Sequence, residues 1–201
     1  MIMETKKQIL GINGSPRKNG NSDILLKYFM DVVKENHVNE KIINLREYNF
    51  SGCIGCERCR KDKICTGIKD DMTNFYPDII SSQGLVLICP THNYNITSWM
   101  KAYIDRLYCF YNFENPRPGK WSSSLSNQNR KAIVIAICEQ EDEKDMGYTA
   151  QAMYKPLEAL GYEISDVIKV LNCFDRGKIK DNAEVINKVK ESADKFSKLL
   201  L

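Results

Sequence analysis

Short apolar runs alternating with amphipathic helices constrain this chain more than any other feature. KQILGIN (Lys7–Asn13), KIINL (Lys41–Leu45), GLVLICP (Gly84–Pro90), KAIVIAIC (Lys131–Cys138) and VIKVL (Val167–Leu171) are the expected strands. Between them apolar residues recur at helical spacing. The first such stripe holds Ile24, Leu25, Tyr28, Phe29, Val32 and Val33, with Asn21 or Ser22 as the expected N-cap. Met72–Ser81 forms another, broken or started by Pro77, and Met100, Tyr103, Ile104, Leu107 and Tyr111 a third. Ala150–Leu160 stops at Gly161, and Val185, Val189, Phe196 and Leu200 mark a last helix. Strands separated by helices of this length imply crossover connections, hence a parallel sheet covered on both faces.

The expected architecture is therefore α/β: a doubly wound, five-stranded parallel sheet, most simply in the flavodoxin-like order. A length of 201 residues fits a single domain over 1–201. Two stretches stand apart from the alternation. One is turn-rich, holds four cysteines and spans 46–71; the other, 111–130, carries Tyr111, Phe113 and Trp121 and reads as a lid or subunit contact. Twenty-nine Lys and Arg against 26 Asp and Glu leave a net +3, too little for a nucleic-acid footprint. No apolar run approaches the ~18 residues of a membrane helix. The leading MIMETKKQIL is too short and polar for a signal peptide, so the cytoplasm is the expected location.

In an open parallel sheet, ligands bind beyond the carboxyl ends of the strands. The first such end is GSPRKNGNS, Gly14–Ser22, where backbone N–H groups, the Ser15 and Ser22 hydroxyls and the next helix dipole can cradle a phosphate. Arg17 or Lys18 adds charge. Gly20 is followed by Asn21 and Ser22 rather than Lys and Ser/Thr, so the nucleoside-triphosphate loop is excluded. Gly11 and Gly14 are separated by two residues where the dinucleotide fingerprint needs one, so that motif fails as well. A monophosphate remains. The second end, Cys89–Ser98, places His92, Tyr94 and Asn95 to touch a planar ligand, with Tyr94 able to stack on it. The third, Cys138–Gly147, is long and acidic; Glu139, Glu141 and Asp142 read mainly as a solvated loop.

Cys53, Cys56, Cys59 and Cys65 are spaced C-x2-C-x2-C-x5-C. Four cysteines in thirteen residues of a cytosolic chain argue for metal over disulfides. Zinc normally takes two C-x2-C pairs separated by a longer loop, whereas successive x2 spacings resemble ferredoxin-type wrapping of a cubane [4Fe–4S] cluster. Gly52 and Gly55 leave room, and Arg58, Arg60, Lys61 and Lys63 offset thiolate charge. Free thiols, zinc and a disulfide stay open beside the cluster. Cys89, Cys109, Cys138 and Cys173 read as packing residues.

GSPRKNGNS, the compact cysteine motif followed by KDDM (Lys69–Met72), and P-x6-TSWMKAYIDR after the third strand resemble the NADPH-dependent FMN reductase-like flavoproteins, and within them the iron–sulfur flavoproteins. These segments span most of the first 106 residues. The resemblance implies FMN on a flavodoxin-like fold. It implies that Ser15, Arg17, Asn21 and Ser22 hold the phosphate, that Pro90, Thr91, His92, Asn93, Tyr94 and Asn95 line the isoalloxazine, and that Cys53, Cys56, Cys59 and Cys65 ligate the cluster. NAD(P)H or ferredoxin is the implied electron donor, and a homodimer or homotetramer the implied assembly. His92 stands where that family usually has tyrosine, Tyr94 where it has glycine, and an acidic loop replaces its Gly-rich third loop. Hydride transfer to the flavin needs no acid or base, so none is expected. A cluster-free FMN-dependent reductase of quinones, azo dyes or nitroaromatics, and a zinc or thiol sensor without turnover, are the alternatives.

Overall fold

The computed structural model describes residues 7–200; MIMETK, read above as lacking a leader's character, lies outside them. The main sheet has five parallel strands: β1 (Gln8–Asn13), β2 (Asn39–Asn44), β3 (Gly84–Pro90), β6 (Lys131–Ile137) and β7 (Glu163–Val170), in the order β2-β1-β3-β6-β7. That is the flavodoxin-like doubly wound order. A separate antiparallel hairpin, β4 (Tyr111–Phe113) and β5 (Trp121–Ser123), occupies the aromatic stretch.

Side chains alternate across the sheet and build two cores. On one face Ile9, Val86, Ile88, Ile133 and Ile135 pack against α1 (Asn21–Glu35) and α6 (Ala183–Leu200) through Leu25, Phe29, Val33, Val189 and Phe196. On the other, Leu10, Ile12, Leu85, Leu87 and Val134 meet α3 (Tyr76–Ser81), α4 (Ser98–Arg106) and α5 (Thr149–Leu160). Both faces are covered, so β3 and, beyond its first residue Lys131, β6 are apolar, as central parallel strands require.

Several boundaries differ from the sequence expectation. β7 begins at Glu163 and β2 at Asn39, because these edge strands are only partly buried at their polar starts. Met72–Ser81 is split into a 3-10 turn, Asp71–Asn74, and α3, with Pro77 in its first turn, where a missing N–H costs nothing. The third helix ends at Arg106 and continues as a 3-10 turn, Leu107–Phe110. Gly20, rather than Asn21 or Ser22, caps α1.

Candidate functional site

The carboxyl ends of β1, β3, β6 and β7 surround a cavity of about 430 Å³. Ser15, Arg17, Asn21 and Ser22 line one end, and Pro90, Thr91, His92 and Asn93 the other. The first loop is fixed by its own backbone and by the sheet. Gly14 N donates to Ile88 O at 2.9 Å, and Ser15 N to Asn13 Oδ1 at 2.9 Å. Asp23 anchors the loop from within α1: its carboxylate accepts from Asn13 Nδ2 (2.6 Å), Asn19 N (2.7 Å) and both Arg46 guanidinium nitrogens (2.9 and 2.8 Å). Arg46 also donates to Ser15 O at 3.3 Å. Asp23 and Arg46 lie outside the loop motif, and no local sequence signal pairs them.

The consequence is a fifteen-residue helix whose N-terminus has no side-chain cap and whose first residues, Asn21 and Ser22, line the cavity. Uncapped N–H groups at a helix start favour an anion.

The second loop is tied to the first by Thr97, whose hydroxyl donates to Gly14 O at 2.7 Å while its oxygen accepts from Met100 N and caps α4. His92 and Asn95 exchange both backbone hydrogen bonds (2.7 and 3.1 Å), closing a two-residue turn with Asn93 at φ +49° and Tyr94 at φ +64°. The primed geometry of such turns favours Asn at the first position and Gly at the second. A tyrosine at φ > 0 is strained. The turn leaves Tyr94 58% exposed, and neither Tyr94 nor Asn95 lines the cavity, unlike Pro90–Asn93. Asn95 Oδ1 instead accepts from Ile96 N. Gly147 is held at φ +57° against the Tyr94 carbonyl, where a Cβ would overlap it, so the acidic loop is clasped to this turn.

Glu139, Ile137, Cys173, Phe174 and Arg176 complete the lining. These residues carry no motif; only their position after β6 and β7 marks them. Cys173 is buried, as a packing residue is, and burial pushes its thiol up to about 11; Cys89 is likewise raised to about 11. Both are inert thiols at neutral pH.

The four clustered cysteines surround a second cavity, about 120 Å³, with Ile54, Gly55, Gly67, Ile68 and Tyr108. A Cβ on Gly67 would overlap the Cys56 sulfur, and Gly55 N donates to Cys53 Sγ at 3.4 Å. Cys59 is raised from the ordinary thiol range, first by burial and then by Cys65, Cys53 and Cys56. Among the described residues no three His, Cys, Asp or Glu side chains are grouped to hold a metal ion. A single-ion site needs its ligands within one coordination radius, whereas a cubane takes its thiolates spread around it. The donor set, the shared cavity and the glycines fit the second arrangement better than a zinc site.

The cysteine segment has little regular structure beyond α2 (Cys59–Asp62). Its neck is pinned by Arg106, whose side chain is fully buried and donates to Asp70 Oδ2 and Oδ1 at 2.8 and 3.0 Å and to Ser51 O at 3.0 Å. Burial opposes the Asp70 charge, but bonds from Arg106, Ser51 and Met72 outweigh it and hold the carboxyl below its usual range. At the tip, Glu57 accepts from Arg117 at 2.5 Å, and Arg117 also donates to Tyr108 OH at 2.9 Å. Arg60 and Lys63 donate to Asn115 and Asn112 on the hairpin side, at 3.0 and 2.7 Å.

The fold is flavodoxin-like, with its cavity at the carboxyl ends of the strands. Residues 8–136 match the NADPH-dependent FMN reductase family, and the chain belongs to that family. It is similar to an iron-sulfur flavoprotein of Methanocaldococcus jannaschii, 27% identical over 128 residues that cover 64% of this chain and 61% of that one. It is also similar to an iron-sulfur flavoprotein of Clostridioides difficile, 34% identical over 99 residues, 48% of this chain and 44% of that one. The matches thus span about half the length of these curated relatives. Among solved structures, an FMN-dependent NADH-azoreductase from Bacillus anthracis in complex with FMN superposes with a TM-score of 0.71 at 20% identity, covering 95% of this chain and 99% of that one. An NAD(P)H:quinone oxidoreductase from Methanothermobacter marburgensis gives 0.67 at 16% identity, with 94% and 98% covered. No described helix is long and apolar enough to cross a membrane.

Proposed function

We propose that the protein is an FMN-dependent oxidoreductase that passes electrons between NAD(P)H or ferredoxin and an acceptor, through a [4Fe–4S] cluster held by Cys53, Cys56, Cys59 and Cys65. The observation that carries the flavin half is the uncapped start of α1, which opens with Arg17 into the same cavity that the Pro90–Asn93 backbone walls. N–H donors and cations at one end and a flat polar wall at the other suit a phosphorylated planar ring. In this reading Ser15, Ser22 and the helix N–H groups hold the phosphate, Arg17 and Asn21 shape that end, and Pro90, Thr91, His92 and Asn93 contact the ring. Tyr94 and Asn95 form the turn that sets this wall. FMN supplies hydride and single-electron chemistry when bound; the chain positions it and sets access. The cluster half rests on four sulfurs around one small cavity and on the similarity to iron-sulfur flavoproteins. A homodimer or homotetramer in the cytoplasm, without nucleic-acid or membrane partners, completes the reading.

A second reading, a cluster-free reductase of FMN, quinones, azo or nitro compounds, is favoured by the exposure of Cys53 and Cys56. Absorption spectra with iron and sulfide assays on protein purified without air separate the two. Flavin bands with a broad bleachable shoulder and about four irons per chain support the first reading. Cys56→Ala is then expected to remove the iron and leave the flavin. A yellow protein without iron selects the second reading, and a colourless one unable to take up FMN overturns both.

A further inference from the structure

The segment after β7 is strapped across the phosphate loop. It is bracketed by Asn172 at φ +51° and Gly177 at φ +84°, and Cys173 N donates to Cys138 O at 3.0 Å. The Arg17 guanidinium lies 4.4 Å from the Phe174 ring centroid and donates to Phe174 O at 2.8 Å. Asn21 Nδ2 donates to Asp175 O at 3.0 Å, and Asn21 Oδ1 accepts from Ile179 N at 3.3 Å. The Asn21 amide is therefore engaged at one end by the strap and at the other by the 3-10 turn that follows it, Lys178–Asp181. Arg176 lies on this strap and lines the cavity, and it has no ion-pair partner among the described residues.

We propose that Arg176 is the specificity-determining residue for the flavin's phosphate, pairing with it across the cavity from the α1 N-terminus. Asn21 acts as a positioning residue that fastens the strap carrying Arg176. This rests on the FMN reading above and deepens it, because it assigns counter-charge to the loop after β7 as well as to the phosphate loop. The helix start offers N–H donors but only a fractional charge. A guanidinium offers a full charge and paired donors that match two phosphate oxygens. A flavin lacking the phosphate gains nothing from it.

Apoprotein of the full chain, titrated with FMN and with riboflavin, tests the assignment. Arg176→Gln is expected to weaken FMN binding by about tenfold or more, as loss of a charge-assisted partner does, and to leave riboflavin binding unchanged. Arg176→Lys restores part of the FMN affinity. Arg176 is exposed, so these substitutions spare the core. Equal weakening of both flavins would assign Arg176 a structural role and overturn the proposal, as would an unchanged FMN affinity. Wild-type protein that binds neither flavin overturns the FMN reading itself and is distinct from either result.

Discussion

The two cavities are held in opposite ways. The end of the larger cavity proposed to take the phosphate is made by regular structure: a strand, a tight turn and a helix start, locked by Asp23, Arg46 and backbone bonds to the sheet. The cysteine cavity is made by a segment with one four-residue helix, pinned at its neck by Arg106–Asp70 and at its tip by Glu57–Arg117. The difference teaches that the first site is a property of the fold, while the second depends on a few polar contacts and on whatever the sulfurs hold.

Removing the neck pin is the harshest trial of that contrast. Arg106→Met leaves the Asp70 carboxylate, only 12% exposed, without its partner; breaking such a pair costs about 3 kcal/mol. Denaturant unfolding is expected to show that loss, and iron content to fall while FMN affinity stays near wild type. A simultaneous loss of FMN affinity would show that the two sites are not separately held. Acid probes the same pin more gently. The folded state keeps Asp70 below the ordinary carboxylate range, so its stabilisation is complete above that range and is lost as the pH falls through the depressed value. Thermal unfolding followed from pH 7 downward should show a steeper decline for wild type than for Asp70→Asn. Parallel slopes would remove the pair from the account. The smallest effect belongs to the phosphate side's neighbour. Tyr94→Gly relieves a left-handed tyrosine at the cost of unfolded-chain entropy, terms of about 1 kcal/mol each that oppose one another. Calorimetry is expected to find stability within about 1 kcal/mol of wild type, with FMN affinity unchanged because the ring lies outside the cavity; a tenfold loss of affinity would place Tyr94 against the flavin after all.

The sequence revealed the central strands better than the edges. GLVLICP and, after its opening Lys131, KAIVIAI are buried on both faces, so their positions are apolar and the boundaries are plain. β2 and β7 lie at the edges, and their polar openings, Asn39–Glu40 and Glu163, look like loop. The loop after β1 was legible as a turn into a helix start because it is local: its glycines, serines and the first helical residues are contiguous. Arg176, Phe174 and Glu139 were not, because only the topology of β6 and β7 carries them to the cavity. The Arg106–Asp70 and Arg46–Asp23 pairs span 36 and 23 residues, and no periodicity encodes such partners. Tyr94 does not line the cavity, because the turn that leaves it exposed takes two positive φ angles that a tyrosine rarely adopts and that no sequence pattern announces.

The neck has one more consequence. Ser51 N donates to the Asp70 carboxylate at 3.0 Å, so the two ends of the intervening segment already stand side by side. For the sheet, the length of chain between them is invisible, and lengthening or shortening it alters closure entropy only slowly. The cysteine segment is thus a detachable part. A descendant of this chain that exchanged residues 52–69 for a short turn would keep its strand order and its β1–α1 loop, and would lose from the core only the contacts of Cys59 and Cys65 at that corner.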